Sequence, residues 1–237
     1  HDSLAGLMNR PALEAMLKGT LARHARSGVP FAVAFMDLDG FKAVNDLHGH
    51  ESGDLVLREW AQRIQDQVGA GDLVSRYGGD EFVVVLDHLT APTEAAQIAD
   101  RLLAAARRPF ELEGKAHRLG PSVGLAVYPQ DGQTAAALLR AADPAMYAAK
   151  EGGRGRVAWF CDALGEAARR RAYLEQALGE ALADGRVRAA VQPVVRLRDR
   201  AAVGFELLAR WNDATGPVSP AVFVPLIERG GRSSALG

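Results

Sequence analysis

The apolar residues of the chain repeat with two spacings, one typical of helices and one typical of buried strands. Residues 31–36 are apolar without a break, which predicts a strand covered on both faces. Strands are expected at 31–36, 72–77, 82–86, 122–128 and 156–160, with a weaker ribbon at 110–112 and 117–119, and helices at 11–27, 41–46, 54–68, 92–107 and 134–150. This order predicts an α/β fold in which helices cover a central mixed sheet.

Two glycines separate the predicted strands 72–77 and 82–86. Gly78 and Gly79 predict a tight hairpin turn, and their lack of a side chain lets a bulky ligand approach the backbone. Asp80 and Glu81 follow at once, and carboxylates beside a bare backbone suit a phosphate bridged by a divalent cation. A solvated hairpin tip explains the same residues, so the turn alone leaves both interpretations open.

Another pair of carboxylates follows the apolar run at 31–36. Asp37 stands at the end of a strand predicted to be buried, where an unpaired carboxylate is costly. A metal ion or a lysine such as Lys42 would compensate this charge, and both remain open. Asp39 is interpreted as a cap of the next helix.

Polar side chains elsewhere supply groups that suit a nucleotide. Asn45 offers an amide and Asp54 a carboxylate, which are the groups needed to read the edge of a purine. Capping of a helix by Ser52 or Asp54 is the competing explanation of Asp54. Lys150 and Arg154 lie near the end of the predicted helix 134–150, where they either complement the helix dipole or face phosphates held by a neighbouring turn.

Composition narrows the class of protein. The chain has 237 residues, is 48% hydrophobic and 24% charged, and has a formal net charge of −1, which is ordinary for a soluble globular protein and gives no general attraction to nucleic acid or membrane. Its single cysteine, Cys161, excludes an internal disulfide and fits a reducing compartment. No apolar run approaches the roughly 18 residues of a membrane span. We therefore expect a cytoplasmic protein with no nucleic-acid partner and no membrane segment.

Residues 76–82, Arg-Tyr-Gly-Gly-Asp-Glu-Phe, resemble the signature of GGDEF-type diguanylate cyclases. Residues 2–10 resemble the first motif of that family, with Ala5 where threonine is usual, and residues 35–54 and 147–154 resemble two further blocks in residue type and spacing. Several motifs in agreement are more specific than one. The resemblance implies that residues 1–160 form a domain with the palm-like fold of nucleotide cyclases, a central mixed sheet covered by helices.

The resemblance also implies a role for each matching residue. Asp37, Asp80 and the carbonyl of Leu38 would bind two Mg²⁺ ions, with Mn²⁺ as a substitute. Asp80, Glu81 and Lys42 would form the catalytic group, in which Asp80 or Glu81 takes the proton of the ribose 3′-hydroxyl. The guanine, the phosphates and the turn would be contacted by Phe41, Asn45, His50, Asp54, Gly78, Gly79, Lys150 and Arg154.

Enzymes of this type join two GTP molecules into cyclic di-GMP and release pyrophosphate. Because each domain would hold one GTP, catalysis is expected in a two-fold homodimer. Such domains are usually governed by an upstream input domain, which this chain is expected to lack. The alternative is a catalytically silent GTP-binding domain that regulates an attached phosphodiesterase.

One departure from the family concerns product inhibition. The family's inhibitory site is an arginine and an aspartate three residues apart, just before the signature. Asp72 matches the aspartate, but Gly69 stands at the arginine position. The sequence therefore predicts no inhibition by cyclic di-GMP through this site.

The composition changes after Cys161. Residues 161–185 predict a linker helix, followed by strands at 187–197 and 201–211 and a helix at 219–229. Within 186–237 the sequence resembles the opening of an EAL-type cyclic di-GMP phosphodiesterase, a TIM-like barrel, through Gln192, Glu206, Leu208 and Arg210. A barrel of that kind needs about 250 residues, so this segment is expected to be a partial, non-catalytic barrel.

Overall fold

The apolar run at 31–36 lies in the middle of a five-stranded sheet in the computed structural model, which describes residues 1–87, 89 and 91–229. The sheet contains β1 (Phe31–Asp39), β2 (Leu73–Gly78), β3 (Glu81–Leu86), β6 (Gly120–Tyr128) and β7 (Val157–Trp159). The remaining elements of this part are α1 (Arg10–Ser27), α2 (Phe41–Gln65), α3 (Pro92–Ala106), α4 (Ala135–Glu151), β4 (Phe110–Leu112) and β5 (Lys115–His117).

The strands follow the spatial order β2-β3-β1-β6-β7. The pairs along this order are antiparallel except β6 and β7, which are parallel. The predicted mixed sheet covered by helices is therefore confirmed.

Alternate residues of β1 divide the core into two apolar layers, because successive side chains of a strand point to opposite faces. Ala34 and Met36 belong to the layer that contains Trp60 of α2. Val33 and Phe35 belong to the layer that contains Leu17 of α1 and the inner face of α4. The central strand is thus buried on both faces, as its unbroken apolar sequence predicts.

β1 is longer than predicted, because it continues to Asp39 instead of ending at residue 36. Asp37 pairs with Glu81 of β3 and with Ser122 of β6, so ladder contacts on both sides extend the strand. Asp37 therefore lies inside the strand and not at its end.

α2 consists of the two helices predicted around residue 50, which meet at a kink. The polar loop expected between them is reduced to Gly49, the one residue inside α2 with non-helical torsions (φ 79°, ψ 169°). A glycine accepts a positive φ without a steric penalty, so the chain bends there and resumes its helix at once. Ser52 and Asp54 lie within the helix, and the interpretation of either as its cap is wrong.

The hairpin turn also lies one residue later than predicted. Gly78 still belongs to β2 and pairs with Glu81, so the two turn residues are Gly79 and Asp80. Gly79 has φ 53°, a left-handed conformation that glycine adopts readily.

The chain divides into two compact units, His1–Gly165 and a second that begins at Glu166. The second unit contains most of α5 (Asp162–Ala183) together with β8 (Arg188–Val195), β9 (Ala202–Asp213), β10 (Gly216–Val218) and α6 (Pro220–Arg229). Its small core includes Leu174, Leu178, Trp211 and Phe223. The domain limits predicted at 160 and 185 remain predictions.

The three strands of the second unit are antiparallel, so the partial TIM-barrel segment is not confirmed. One face of this sheet is apolar and exposed among the described residues. Val191 and Leu207 are directly paired across β8 and β9 and are 60% and 70% exposed, and Phe205 is 69% exposed. Residues 230–237 of the segment expected at 186–237 lie outside the described residues.

Within the part of the chain that the structure describes, no helix is long and apolar enough to cross a bilayer.

Arg63 connects α2 to the end of α3 through a buried guanidinium. It donates hydrogen bonds to the carbonyls of Ala105 (3.2 Å), Arg108 (2.6 Å) and Pro109 (2.8 Å), and it stacks over the ring of Phe110. Carbonyls at the end of a helix need such donors because no further turn supplies them.

We expect Arg63→Met to lower the free energy of unfolding by about 3 kcal/mol, because buried carbonyls lose charged donors while the volume is retained. Arg101→Met is the matched control, since Arg101 is exposed and donates to the carbonyl of Gln67; its effect should stay within about 0.5 kcal/mol. Urea denaturation followed by circular dichroism measures both. Equal stability of the two variants would contradict the prediction.

Candidate active site

Carboxylates of two adjacent strands meet near the end of β1. Asp37 is paired with Glu81 of β3 on one side. The N–H of Leu38 donates a hydrogen bond to the carbonyl of Asp80 over 3.3 Å, which places the hairpin turn directly beside Asp37. The structure therefore brings together two pairs of neighbouring residues, 37–38 and 80–81. The two pairs are more than forty positions apart in the sequence.

The cation beside Asp37 is a lysine of α4. Lys150 Nζ lies 2.6 Å from Asp37 Oδ2, and the two side chains are 26% and 12% exposed. α4 begins with Thr134 as its cap, whose hydroxyl oxygen accepts a hydrogen bond from the N–H of Ala137. The lysine partner considered from the sequence, Lys42, is instead exposed at the second position of α2.

Charge crowding changes the acidity of the hairpin carboxyls. Partial burial raises the pKa of Asp80, and the nearby charge of Asp37 raises it further. Partial burial also raises the pKa of Glu81, followed by repulsion from Asp143, Asp37 and Asp80. Lys150 opposes both shifts but does not cancel them. The site therefore has an excess of negative charge.

Asp143 is an acidic residue of this site that sequence reasoning missed. It precedes Lys150 by seven residues on α4, about two helical turns, so both residues lie on one face of the helix. This spacing was the available signal. It is a weak one, because most acidic residues on a helix surface are only solvated.

The donor set near the turn suits a hard divalent cation. Asp37 and Asp80 supply carboxylate oxygens, and the carbonyl of Leu38 faces the turn because the N–H and C=O of one strand residue point the same way. Within the described residues, no group of three or more His, Cys, Asp and Glu side chains is arranged to hold a metal ion by itself. A cation here would complete its shell with water and phosphate oxygens.

The turn itself is open. A Cβ built on Gly78 or Gly79 would meet no atom within 4 Å, so a ligand can reach the backbone there. Arg76 stabilises the turn, because its Nε donates a hydrogen bond to the Gly79 carbonyl over 2.9 Å. Its guanidinium also lies 3.2 Å from the carboxylate of Asp2. This link between the first residues of the chain and the turn was not predicted from the sequence.

The break of α2 at Gly49 lies between the two residues expected to read a purine, Asn45 and Asp54. Asn45 Oδ1 is buried and has no hydrogen-bond partner among the residues that the structure describes, and a Cβ on Gly53 would overlap this oxygen. Gly53 therefore leaves room for the Asn45 side chain, and Asp54, which is half-buried, follows directly. The ring of Phe41 is buried in the core beside Gly53, whereas His50 is exposed.

Asp39 does not cap α2, and that interpretation is wrong. The cap position is Gly40, which has no side chain that could bond to the first turn of the helix. Asp39 Oδ2 instead accepts hydrogen bonds from Ser122 Oγ (2.8 Å) and from the N–H of Gly155 (3.2 Å). Arg154 Nε lies 3.7 Å from Asp39 Oδ1, so the second expected phosphate ligand also pairs with a β1 carboxylate.

Asp72 belongs to the site through which no product inhibition is expected, and it stabilises the turn that begins at Gly69. Its carboxylate accepts hydrogen bonds from the N–H of Gly69 (2.8 Å) and of Asp87 (2.9 Å). The absence of inhibition through this site stays a prediction.

The EAL-like residues lie on one face of the second unit's sheet. Gln192 and Glu206 are directly opposite each other, and Leu208 and Arg210 follow Glu206 at two-residue steps. Side chains at such steps share a face. Gln192, Glu206 and Arg210 are exposed, and Leu208 is half-buried.

Comparison with protein families matches residues 1–156 to the model described as "Diguanylate cyclase, GGDEF domain" and residues 175–237 to the EAL domain. The whole chain is 39% identical over 238 residues to MucR of Pseudomonas aeruginosa, a bifunctional diguanylate cyclase/cyclic di-GMP phosphodiesterase. It is 36% identical over 237 residues to NbdA, a cyclic di-GMP phosphodiesterase of the same organism. The chain spans 35% and 30% of the lengths of these two relatives.

Solved structures give the same result for the first unit. The GGDEF domain of TpbB (YfiN) from Pseudomonas aeruginosa superposes with a TM-score of 0.69 at 39% identity, covering 71% of this chain and 99% of that domain. A sensory box/GGDEF family protein from Caulobacter crescentus superposes with a TM-score of 0.62 at 44% identity, covering 65% of this chain and 99% of the other. The chain therefore belongs to the GGDEF diguanylate cyclase family, and the start of an EAL domain follows its GGDEF domain.

Proposed function

We propose that this chain is a diguanylate cyclase, which condenses two GTP molecules into cyclic di-GMP and releases pyrophosphate in a homodimer with Mg²⁺. The observation that carries the proposal is the group of carboxylates around Lys150, beside a glycine turn that is open to a ligand. Excess negative charge at such a position suits divalent cations and the phosphates they bridge.

The residues divide into a guanine side and a phosphate side. Asn45 and Asp54 would bind the guanine, because the buried amide oxygen of Asn45 has no partner within the described residues and Asp54 adds a carboxylate next to it. His50, which is exposed and follows Gly49, would contact the nucleotide from the surface. Lys150 and Arg154 would hold the outer phosphates, with Lys42 and the backbone at Phe41 nearby at the start of α2.

Asp37, Asp80 and the Leu38 carbonyl would hold the Mg²⁺ ions, and the donor set described above fits them. When bound, the ions would activate the attacking oxygen and stabilise the leaving pyrophosphate. Lys150, which pairs with Asp37 in this structure, would then be available to the phosphates, because a cation held by Asp37 would repel its ammonium group.

The proton of the ribose 3′-hydroxyl needs an acceptor in the hairpin. We assign this role to Asp80, with Glu81 as the second carboxylate of the group. Asp80 lies in the turn beside Asp37, next to the position proposed for the ions, where a carboxylate can take that proton. The open side of Gly79 leaves space for the second nucleotide, which a facing copy of the chain would supply.

The silent regulatory domain is the less favoured interpretation, because the acidic and basic groups needed for turnover are all present. The candidate EAL residues of the second unit include a single carboxylate, Glu206. Because one carboxylate is a poor ligand set for a catalytic metal, we do not propose a phosphodiesterase activity for this chain.

The decisive experiment is incubation of the chain at high concentration with GTP and Mg²⁺, followed by nucleotide chromatography. Asp80→Ala is expected to lower the rate of cyclic di-GMP formation by about 10²-fold or more, because the proton acceptor and a metal ligand are lost together. Asp100→Ala removes an exposed carboxylate of α3 and should leave the rate unchanged. Tight GTP binding without any product from the unmodified chain would refute the proposal and favour the regulatory domain.

Gly53→Ala tests the guanine side without changing a polar group. Its Cβ would displace the Asn45 side chain, so we expect the affinity for GTP to fall about tenfold. The matched control is Gly19→Ala in α1, where an added Cβ meets nothing within 4 Å. Calorimetric titration with GTP measures both, and unchanged affinity of Gly53→Ala would contradict the assignment of Asn45.

The raised pKa values of Asp80 and Glu81 predict how Mg²⁺ binding depends on pH. Both carboxyls retain protons to a higher pH than the usual values of about 4. Because Mg²⁺ competes with these protons, its affinity should increase as pH rises through the raised values and decrease as pH falls. Titration of the chain with Mg²⁺ at several pH values measures this, and an affinity independent of pH would contradict it.

A further inference from the structure

The second carboxylate of β1, Asp39, is buried and makes specific contacts that the reaction outlined above does not use. Its side chain is 10% exposed. Asp37 and Asp39 are two residues apart on a strand and therefore share a face. Asp37 pairs with Lys150, and Asp39 pairs with Arg154. The same face of β1 therefore contacts both basic side chains near the end of α4.

The segment that Asp39 contacts has an unusual backbone. Gly153, Arg154 and Gly155 have φ values of 117°, 61° and 56° in succession. A left-handed conformation is strained for a residue with a side chain, here Arg154. The N–H of Arg154 bonds to the carbonyl of Ala149 over 3.1 Å, which closes the end of α4, but this bond does not fix the direction of the guanidinium.

Asp39 adds a second attachment for this segment. Its Oδ2 accepts a hydrogen bond from the N–H of Gly155, the residue after Arg154, and its Oδ1 lies 3.7 Å from Arg154 Nε. Ser122 Oγ donates to the same Oδ2 from β6, which fixes the carboxylate in turn. The N–H groups of Gly153 and Arg154 bond to carbonyls of α4, so the Gly155 N–H is the backbone donor of these three residues that reaches Asp39.

Asp39 differs from Asp37 in what happens when a ligand binds. Asp37 is assigned to a cation, so its pair with Lys150 would be exchanged on binding. The hydrogen bond of Asp39 to the Gly155 N–H involves backbone and needs no exchange, while the guanidinium of Arg154, which is 69% exposed, has room to turn towards a ligand.

We propose that Asp39 is a positioning residue, which holds residues 153–155 in their left-handed turn so that Arg154 meets the outer phosphates of a nucleoside triphosphate. The inference rests on the proposed function only in the identity of that ligand. It assigns Asp39 no contact with the substrate.

The test compares a ligand with outer phosphates and one without them. The probes are guanosine α,β-methylene triphosphate, whose P–C–P bridge cannot release pyrophosphate, and GMP, both titrated calorimetrically with Mg²⁺ into the full chain. Asp39→Ala should weaken the triphosphate about tenfold and leave GMP within about twofold. Asp39→Asn retains an acceptor for Ser122 and Gly155 and should restore part of the affinity.

A double-mutant cycle separates positioning from a general loss of structure. Arg154→Gly removes the guanidinium and accepts the positive φ, so it should weaken the triphosphate as much as Asp39→Ala does. The two changes together should cost no more than either alone, because one acts through the other. Asp66→Ala, at an exposed carboxylate after α2, is the control and should change neither affinity.

The outcomes are distinct. Equal losses for both probes, additive effects in the cycle, or unchanged triphosphate affinity in Asp39→Ala would each overturn the inference. If Asp39→Ala does not fold, the same cycle with Asp39→Asn decides. Because no arm measures product, a chain that makes no cyclic di-GMP but shows the selective, non-additive loss would refute the cyclase and support the role of Asp39.

Discussion

Repulsion between carboxylates at the end of β1 is the constraint on which the site depends. Asp37 raises the pKa of Asp80, and Asp143, Asp37 and Asp80 together raise the pKa of Glu81. Lys150 opposes both shifts and pairs with Asp37, and Arg76 also opposes the shift at Asp80. Such crowding destabilises a folded chain unless the surrounding structure holds the groups in place. Here the ladder contacts of β1 and the two apolar layers around it provide that support. The same repulsion that costs stability prepares the site for cations.

Backbone conformation also determines where the polar side chains of the site lie. Gly49 breaks α2 for one residue, Gly53 leaves space beside Asn45, and residues 153–155 turn the chain after α4. Each of these positions lies next to a polar side chain assigned to the nucleotide. Side-chain chemistry and backbone geometry therefore specify the site together, and a substitution at a glycine can disturb it without removing any functional group.

The sequence predicted the sheet, its helices and the hairpin well, because long apolar runs and paired glycines are local signals. It located Asp37, Asp80, Lys150 and Arg154 through spaced motifs. It misjudged Asp39 and the end of β1, since both depend on contacts with β6, about 83 positions later in the chain. Asp143 and the link from Arg76 to Asp2 were missed for the same reason: their partners come from distant segments.

The apolar face formed by Val191, Phe205 and Leu207 affects how association of this chain should be understood. Water-exposed valine, leucine and phenylalanine side chains on a sheet favour contact between molecules regardless of nucleotide. Light scattering or cross-linking of the full chain would thus combine two kinds of contact, one between second units and one between nucleotide sites. Only the latter should respond to GTP, so nucleotide dependence, rather than mass alone, distinguishes a catalytic pair from adhesive oligomers.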